Sequence, residues 1–146
     1  MIAIDTNVLL RYLLEDDIEQ FKKAVKLISG QQTVLVTDVV LVETIWTLRG
    51  KKYQLRKTEL MAVLQSLFQE PNIRFEDGQA VWPAFTDYRN AKPVKGKEAD
   101  FAEALIVNKS KQVANKENKP FNGAFTFDVA AQTLPGAKAP NNRTRA

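Results

Sequence analysis

Short apolar runs alternate along this chain with longer segments whose apolar residues repeat at helical spacing. The runs are MIAID at the start, TVLVT at 33–37, NIRFE at 72–76 and GAFTFD at 123–128. Each has the length and β-branched or aromatic content of a strand. Between them, Asp5, Thr6 and Asn7 form a turn able to cap a helix from about Val8. Ile18, Phe21, Val25 and Ile28 repeat after a cap at Asp16 or Asp17 and before a stop at Gly30. DVVLVETIWTLRG reads as a helix with Asp38 as N-cap and Gly50 as C-cap, and RKTELMAVLQSLFQE as an amphipathic helix. DGQAVWPAFTDYRNA is a helix disturbed by Pro83, and DFAEALIVNKSKQVAN a helix entered from the basic loop AKPVKGKEA. Strands that alternate with helices predict an α/β fold with a mainly parallel sheet and helices on both faces. Such folds carry their sites beyond the carboxyl ends of the strands. The 146 residues suit one core. We expect one domain over 1–136, then a basic tail over 137–146 that frays.

Residue types that are missing narrow the chemistry. The chain has no histidine and no cysteine. That excludes a Ser-His-Asp triad, a Cys nucleophile, an imidazole acid/base pair, disulfides and thiolate zinc sites. Catalysis must then rest on carboxylates, Lys, Tyr, Ser, Thr or an oxygen-held metal, and oxygen ligands favour Mg²⁺ or Mn²⁺. No apolar run reaches the roughly 18–20 residues of a membrane span. MIAIDTNVLL has neither a basic n-region nor a small-residue cleavage site, so a cytoplasmic location with no membrane contact is expected. Lys plus Arg exceed Asp plus Glu by 21 to 17. An excess that small suits simple solubility and a polyanionic partner equally. The basic residues cluster at Lys51, Lys52, Arg56 and Lys57, at Lys92, Lys95 and Lys97, and at Lys109, Lys111, Lys116 and Lys119. Lys138, Arg143 and Arg145 add to the tail.

Several acids stand where solubility does not call for them. Asp5 closes the first predicted strand and Asp128 the last, which assigns both to the carboxyl edge of one sheet. Glu43 sits inside VVLVETIWTL, apolar nearly all round and so expected to be buried. Asp100 and Glu103, three residues apart, share a helix face. Each has an ordinary role open to it. Asp5 can cap the next helix, Asp100 and Glu103 can form a capping box, Asp128 can start a turn, and Glu43 can meet a buried cation. As a set they repel unless neutralised, and one or two divalent cations would do this while building a hydrolytic centre. Tyr12, Trp46, Tyr53 and Trp82 suit either base stacking or a core and partner interface.

The blocks MIAIDTNVLLRYLLEDD, VVLVETIWTLRG, ADFAEALI and FTFD, in this order, resemble the signature blocks of PIN-domain nucleases, above all the VapC toxins of bacterial type II toxin–antitoxin pairs. The resemblance runs from Met1 to about Gly136. It implies a PIN-like three-layer α/β/α sandwich and hydrolysis of RNA by a metal-dependent ribonuclease using Mg²⁺ or Mn²⁺. The ligand set it implies is Asp5, Glu43, Glu103 or Asp100, and Asp128, with Thr6, Asn7 and Thr126 supporting it and Asn7 orienting Asp5. It further implies a homodimer and a cognate antitoxin. A catalytically weak PIN-fold binding protein in an antitoxin/repressor complex is the alternative, and a phosphatase for small phosphates a third. The chain departs from the family in three places. Glu103 stands where Asp is commoner, KQVANKENKPFNG is longer and more basic, and VAAQTLPG lacks a basic residue often found there.

Overall fold

The computed structural model describes residues 1–140 and resolves them into two compact units, Met1–Gly78 and the chain from Gln79 onward. Arg143 and Arg145 of the basic tail lie outside the described residues.

The first unit runs β1 (Ile2–Ala3), α1 (Thr6–Leu14), α2 (Ile18–Ile28), β2 (Val34–Val36), α3 (Asp38–Arg49), α4 (Lys57–Phe68) and β3 (Ile73–Phe75). The strands form a parallel sheet in the order β1-β2-β3, with Ile2 opposite Val34 and Val34 opposite Ile73. The strands are shorter than the apolar runs that announced them, because their ends turn at once into helix caps. Asp5 caps α1, its Oδ1 accepting from the Val8 N–H at 3.0 Å. Asp17 caps α2 through the Gln20 N–H at 3.1 Å.

The cap of α3 is Thr37, whose Oγ1 accepts from the Val40 N–H, and Asp38 is the first helical residue. Thr37 still has the extended backbone of β2 and carries the hydroxyl at the position where the helix needs it. The Asp38 N–H instead donates to Glu76 Oε1 at 3.0 Å.

α3 corrects a second expectation. Val40, Leu41, Thr44, Ile45 and Leu48 are buried, but Val39, Glu43 and Trp46 form an exposed stripe, with Trp46 70% exposed. The helix is apolar on both faces and the unit covers only one of them. Glu43 is therefore a surface carboxylate and needs no buried partner. In α1, Leu9 and Leu10 are buried, while Tyr12 and Leu13 are half-buried.

Tyr12 is held by the Glu70 carboxylate, which accepts its hydroxyl hydrogen. Burial, then that bond, pushes the phenol up to about 12. Between about pH 10 and 12 the folded state binds the proton more tightly than the unfolded chain. The associated stability is complete below pH 10 and is lost as pH rises through 12. A Tyr12→Phe protein is expected to lose this part of the fall in melting temperature between pH 10 and 12. An unchanged pH slope in thermal melts would contradict it.

The second unit contains α5 (Gly78–Asn90, whose first residue closes the first unit), α6 (Phe101–Lys116), β4 (Ala124–Phe125), a 3-10 turn (Ala131–Thr133) and β5 (Ala137–Lys138). α5 continues through Pro83, which forfeits one helical hydrogen bond without ending the helix. The basic loop before α6 contains a tight turn. Val94 and Lys97 exchange both backbone hydrogen bonds, at 2.8 and 3.0 Å, around Lys95 and Gly96 with φ of 52° and 77°. Two left-handed residues in succession are what a two-residue hairpin turn requires.

β4 does not join the three-stranded sheet. It pairs in parallel with β5, Ala124 opposite Ala137. The tail expected to fray from residue 137 thus begins with a paired strand. Gly136 makes this possible. Its φ is +94°, and a Cβ there would come within 3.2 Å of Val107, Phe121 and Lys111.

Among the described residues, no helix is long and apolar enough to cross a membrane.

Candidate functional site

Asp5 follows the carboxyl end of β1 and is exposed. One of its oxygens is engaged in capping α1, and the other accepts no hydrogen bond among the described residues. Thr6, the first residue of α1, donates its hydroxyl hydrogen to Glu43 Oε1 on α3 at 3.1 Å. That bond ties the head of α1 to the exposed face of α3 and places two of the expected acids around one threonine. Among the described residues the Asp5 carboxylate accepts from the backbone N–H of Val8 and not from Asn7. The amide is left exposed beside it.

Asp100 and Glu103 lie at the head of α6, and both are half-buried. Asp100 occupies the N-cap position, but its side chain makes no cap hydrogen bond, so the capping box is not formed. Glu103 in the first turn lines a cavity of about 140 Å³ with Phe125, Thr126 and Ala131. The α6 acid therefore faces the FTFD segment. Asp128 is exposed, and its Oδ1 accepts from the Ala131 N–H at 3.1 Å. Thr126 Oγ1 accepts from the Asp128 N–H at 3.0 Å, so Thr126 positions the backbone of Asp128 and not its carboxylate.

β4 belongs to a different sheet from β1, so Asp5 and Asp128 do not share a sheet edge. Among the described residues, no group of three or more acids is gathered as a metal site. The donors fit Mg²⁺ or Mn²⁺ in type, since all are hard carboxylate oxygens. The first unit presents Asp5 and Glu43 around Thr6, and the second presents Glu103 facing the segment that carries Asp128.

Two features escaped the sequence, the Arg11 clamp and the exposure of Phe127, and for Trp46 the sequence left open whether it is exposed. Arg11 is clamped, Nη1 on Asp16 at 2.9 Å and Nη2 on the Tyr53 hydroxyl at 3.4 Å. The bond from Arg11 holds the Tyr53 phenol below its ordinary pKa. As the only cation inside VLLRYLL, Arg11 was the available signal. Phe127 is 85% exposed beside Asp128, and Trp46 is exposed one helical turn from Glu43. An apolar residue facing solvent beside an acid cannot be told from a core residue by composition. Trp82 is also exposed, while Tyr53, like Tyr12, is half-buried.

The PIN domain family matches residues 2–113. That span takes in Asp5, Glu43, Asp100 and Glu103 and stops short of Thr126 and Asp128. No curated protein matches the chain.

Proposed function

Because this chain belongs to the PIN-domain family, a family of nuclease-type folds that generally use divalent metal ions, we propose that it is a Mg²⁺- or Mn²⁺-dependent ribonuclease. We further propose that it is the VapC-like toxin of a toxin–antitoxin pair, acting in the cytoplasm as a homodimer restrained by a cognate antitoxin. The observation that carries this is Asp5, exposed after a parallel strand with one carboxylate oxygen on its helix and the other open.

In this reading Asp5, Glu43, Glu103 or Asp100, and Asp128 hold the cation. It supplies Lewis acidity when bound, lowering the pKa of a water and offsetting charge on the phosphate. Thr6 fixes the rotamer of Glu43 through its hydroxyl. Thr126 and the Ala131 N–H hold Asp128 from its two sides. Lysines such as Lys95, displayed at the hairpin tip, bind the RNA backbone, so affinity falls as salt rises. The exposed Val39 and Trp46 on α3 offer apolar surface for a protein partner.

The apolar surface of Val39 and Trp46 also suits a second reading, a PIN-fold binding protein of weak activity in an antitoxin/repressor complex. One set of assays separates them. Millimolar Mn²⁺ or Mg²⁺ is expected to raise the melting temperature by mass action. Labelled single-stranded RNA is expected to be cut only with the metal present, with no hydrolysis of a chromogenic phosphate ester. Binding of the product of an adjacent antitoxin reading frame without RNA cleavage or metal response would establish the binding protein instead. Ester hydrolysis without RNA cleavage would point to a phosphatase.

A further inference from the structure

The two helices that follow Asp5 leave a groove between them, wholly within the first unit, with a volume of about 260 Å³. Its floor is apolar. Val8 comes from α1 and Ala24 and Leu27 from α2, and Leu27 is 43% exposed although it is a leucine in the last turn of its helix. Its rim is polar and cationic. Gln20 and Lys23 stand one turn apart on α2, and neither side chain has a hydrogen-bond or ion-pair partner among the described residues. Arg11 lines the opposite side. Its two terminal nitrogens are engaged by Asp16 and Tyr53, and its Nε is buried and makes no hydrogen bond. A buried donor left unmade is costly, and a guanidinium clamped at both ends cannot swing out to water to satisfy it. Asp5 and Asn7 also line the groove.

An apolar floor, an unengaged amide and the Lys23 ammonium match the parts of one nucleotide. A base offers a flat apolar face and a hydrogen-bonding edge, and its phosphate offers negative charge. The groove's volume is of the size that one ring system fills.

We propose that the α1–α2 groove is a base-binding subsite that takes the unpaired nucleotide next to the scissile phosphate of the RNA. The base lies on Val8, Ala24 and Leu27, the Gln20 amide reads its edge, and Lys23 holds the phosphate. This rests on the ribonuclease reading above and adds to it the origin of sequence preference.

The test maps cleavage sites on a single-stranded RNA of balanced base composition for wild type, Gln20→Leu, Lys23→Gln and Leu27→Trp. It also measures binding of a non-cleavable 2′-O-methyl oligonucleotide by fluorescence anisotropy. Wild type is expected to favour one base beside the cut. Gln20→Leu is expected to change that preference. Leu27→Trp fills the floor and is expected to raise KM and weaken oligonucleotide binding by about tenfold, with kcat within about twofold. Lys23→Gln is expected to weaken binding for all bases alike and to lessen its salt dependence. All three positions are exposed, and matching melting temperatures establish that the variants fold. Should Leu27→Trp fail to fold, Gln20→Leu and Lys23→Gln decide the matter alone. Cleavage by wild type with sites and KM unchanged in the variants would overturn the subsite and leave the ribonuclease standing. Unchanged RNA cleavage together with lost capture of the adjacent antitoxin would also overturn it, assigning the groove to a protein. A wild type that neither cuts nor binds RNA would remove both readings.

Discussion

Asp5→Asn is expected to melt within about a degree of wild type while losing RNA cleavage by more than about a hundredfold. The two halves of this expectation come from the two oxygens of one carboxylate. Oδ1 accepts from the Val8 N–H and caps α1. Asn caps a helix as well as Asp does, so the start of α1 survives the change. The second oxygen and the negative charge do not survive it, and a neutral amide is a poor partner for a hard divalent cation. Removing a group that merely orients a metal ligand already costs about 10–100-fold, so loss of a direct ligand exceeds that. Asp5→Ala separates the roles from the other side, since it should lose both activity and about 1 kcal/mol of cap stability. Asp5→Ser should keep the cap and lose the activity. The measurements are thermal melts with and without Mn²⁺ and cleavage of labelled single-stranded RNA. Wild-type cleavage by Asp5→Asn would show that Asp5 is a helix cap and nothing more.

This double role explains why the first block could be read from sequence and others less well. Asp5 announced itself because a carboxylate at the end of an apolar strand has few uses, and the structure shows one of those uses, the cap. The helices were legible from periodicity. α2, α4 and α6 fall within a few residues of the segments that predicted them, because one apolar face repeats along each. α3 was legible as a helix but not as to its surroundings. VVLVETIWTL is apolar on both faces, so its composition cannot say which face the fold covers. Val39 and Trp46 proved to be on the uncovered one, and Glu43 came to the surface with them. Thr37 replaced Asp38 as cap because the strand and the helix meet without a loop, and a shift of one residue decides which side chain stands at the junction. The pairing of β4 with β5 was hidden for a different reason. A two-residue strand carries no period, and the glycine at 136 that lets the chain pass Val107 and Phe121 looks in sequence like any other turn residue. The candidate site was legible as a set of residue types and positions.

Glu103→Gln is expected to abolish the melting response to Mn²⁺ and to lower RNA cleavage by more than about a hundredfold, while Asp100→Asn is expected to cost less on both counts. The two acids share the head of α6, where the helix dipole favours negative charge. Exchange of either for its amide should therefore lower stability by less than about 1 kcal/mol. Their surroundings differ. Glu103 lines a cavity together with Thr126, on the segment that carries Asp128. Asp100 stands at the N-cap, one residue outside the helix, and is not among the residues lining that cavity. The family resemblance also implies that Glu103 takes the position of the acid before Ala-Leu. Its longer arm suits this setting, because an acid in the first turn of a helix must reach past the turn to meet a group outside it. Mn²⁺-dependent melts and RNA cleavage on both variants decide between the acids. Loss of the metal response in Asp100→Asn alone would transfer the ligand role to Asp100 and leave Glu103 as a half-buried acid of the first turn. Loss in both would mean that the pair binds the cation together, as two carboxylates three residues apart on one helix face are able to do.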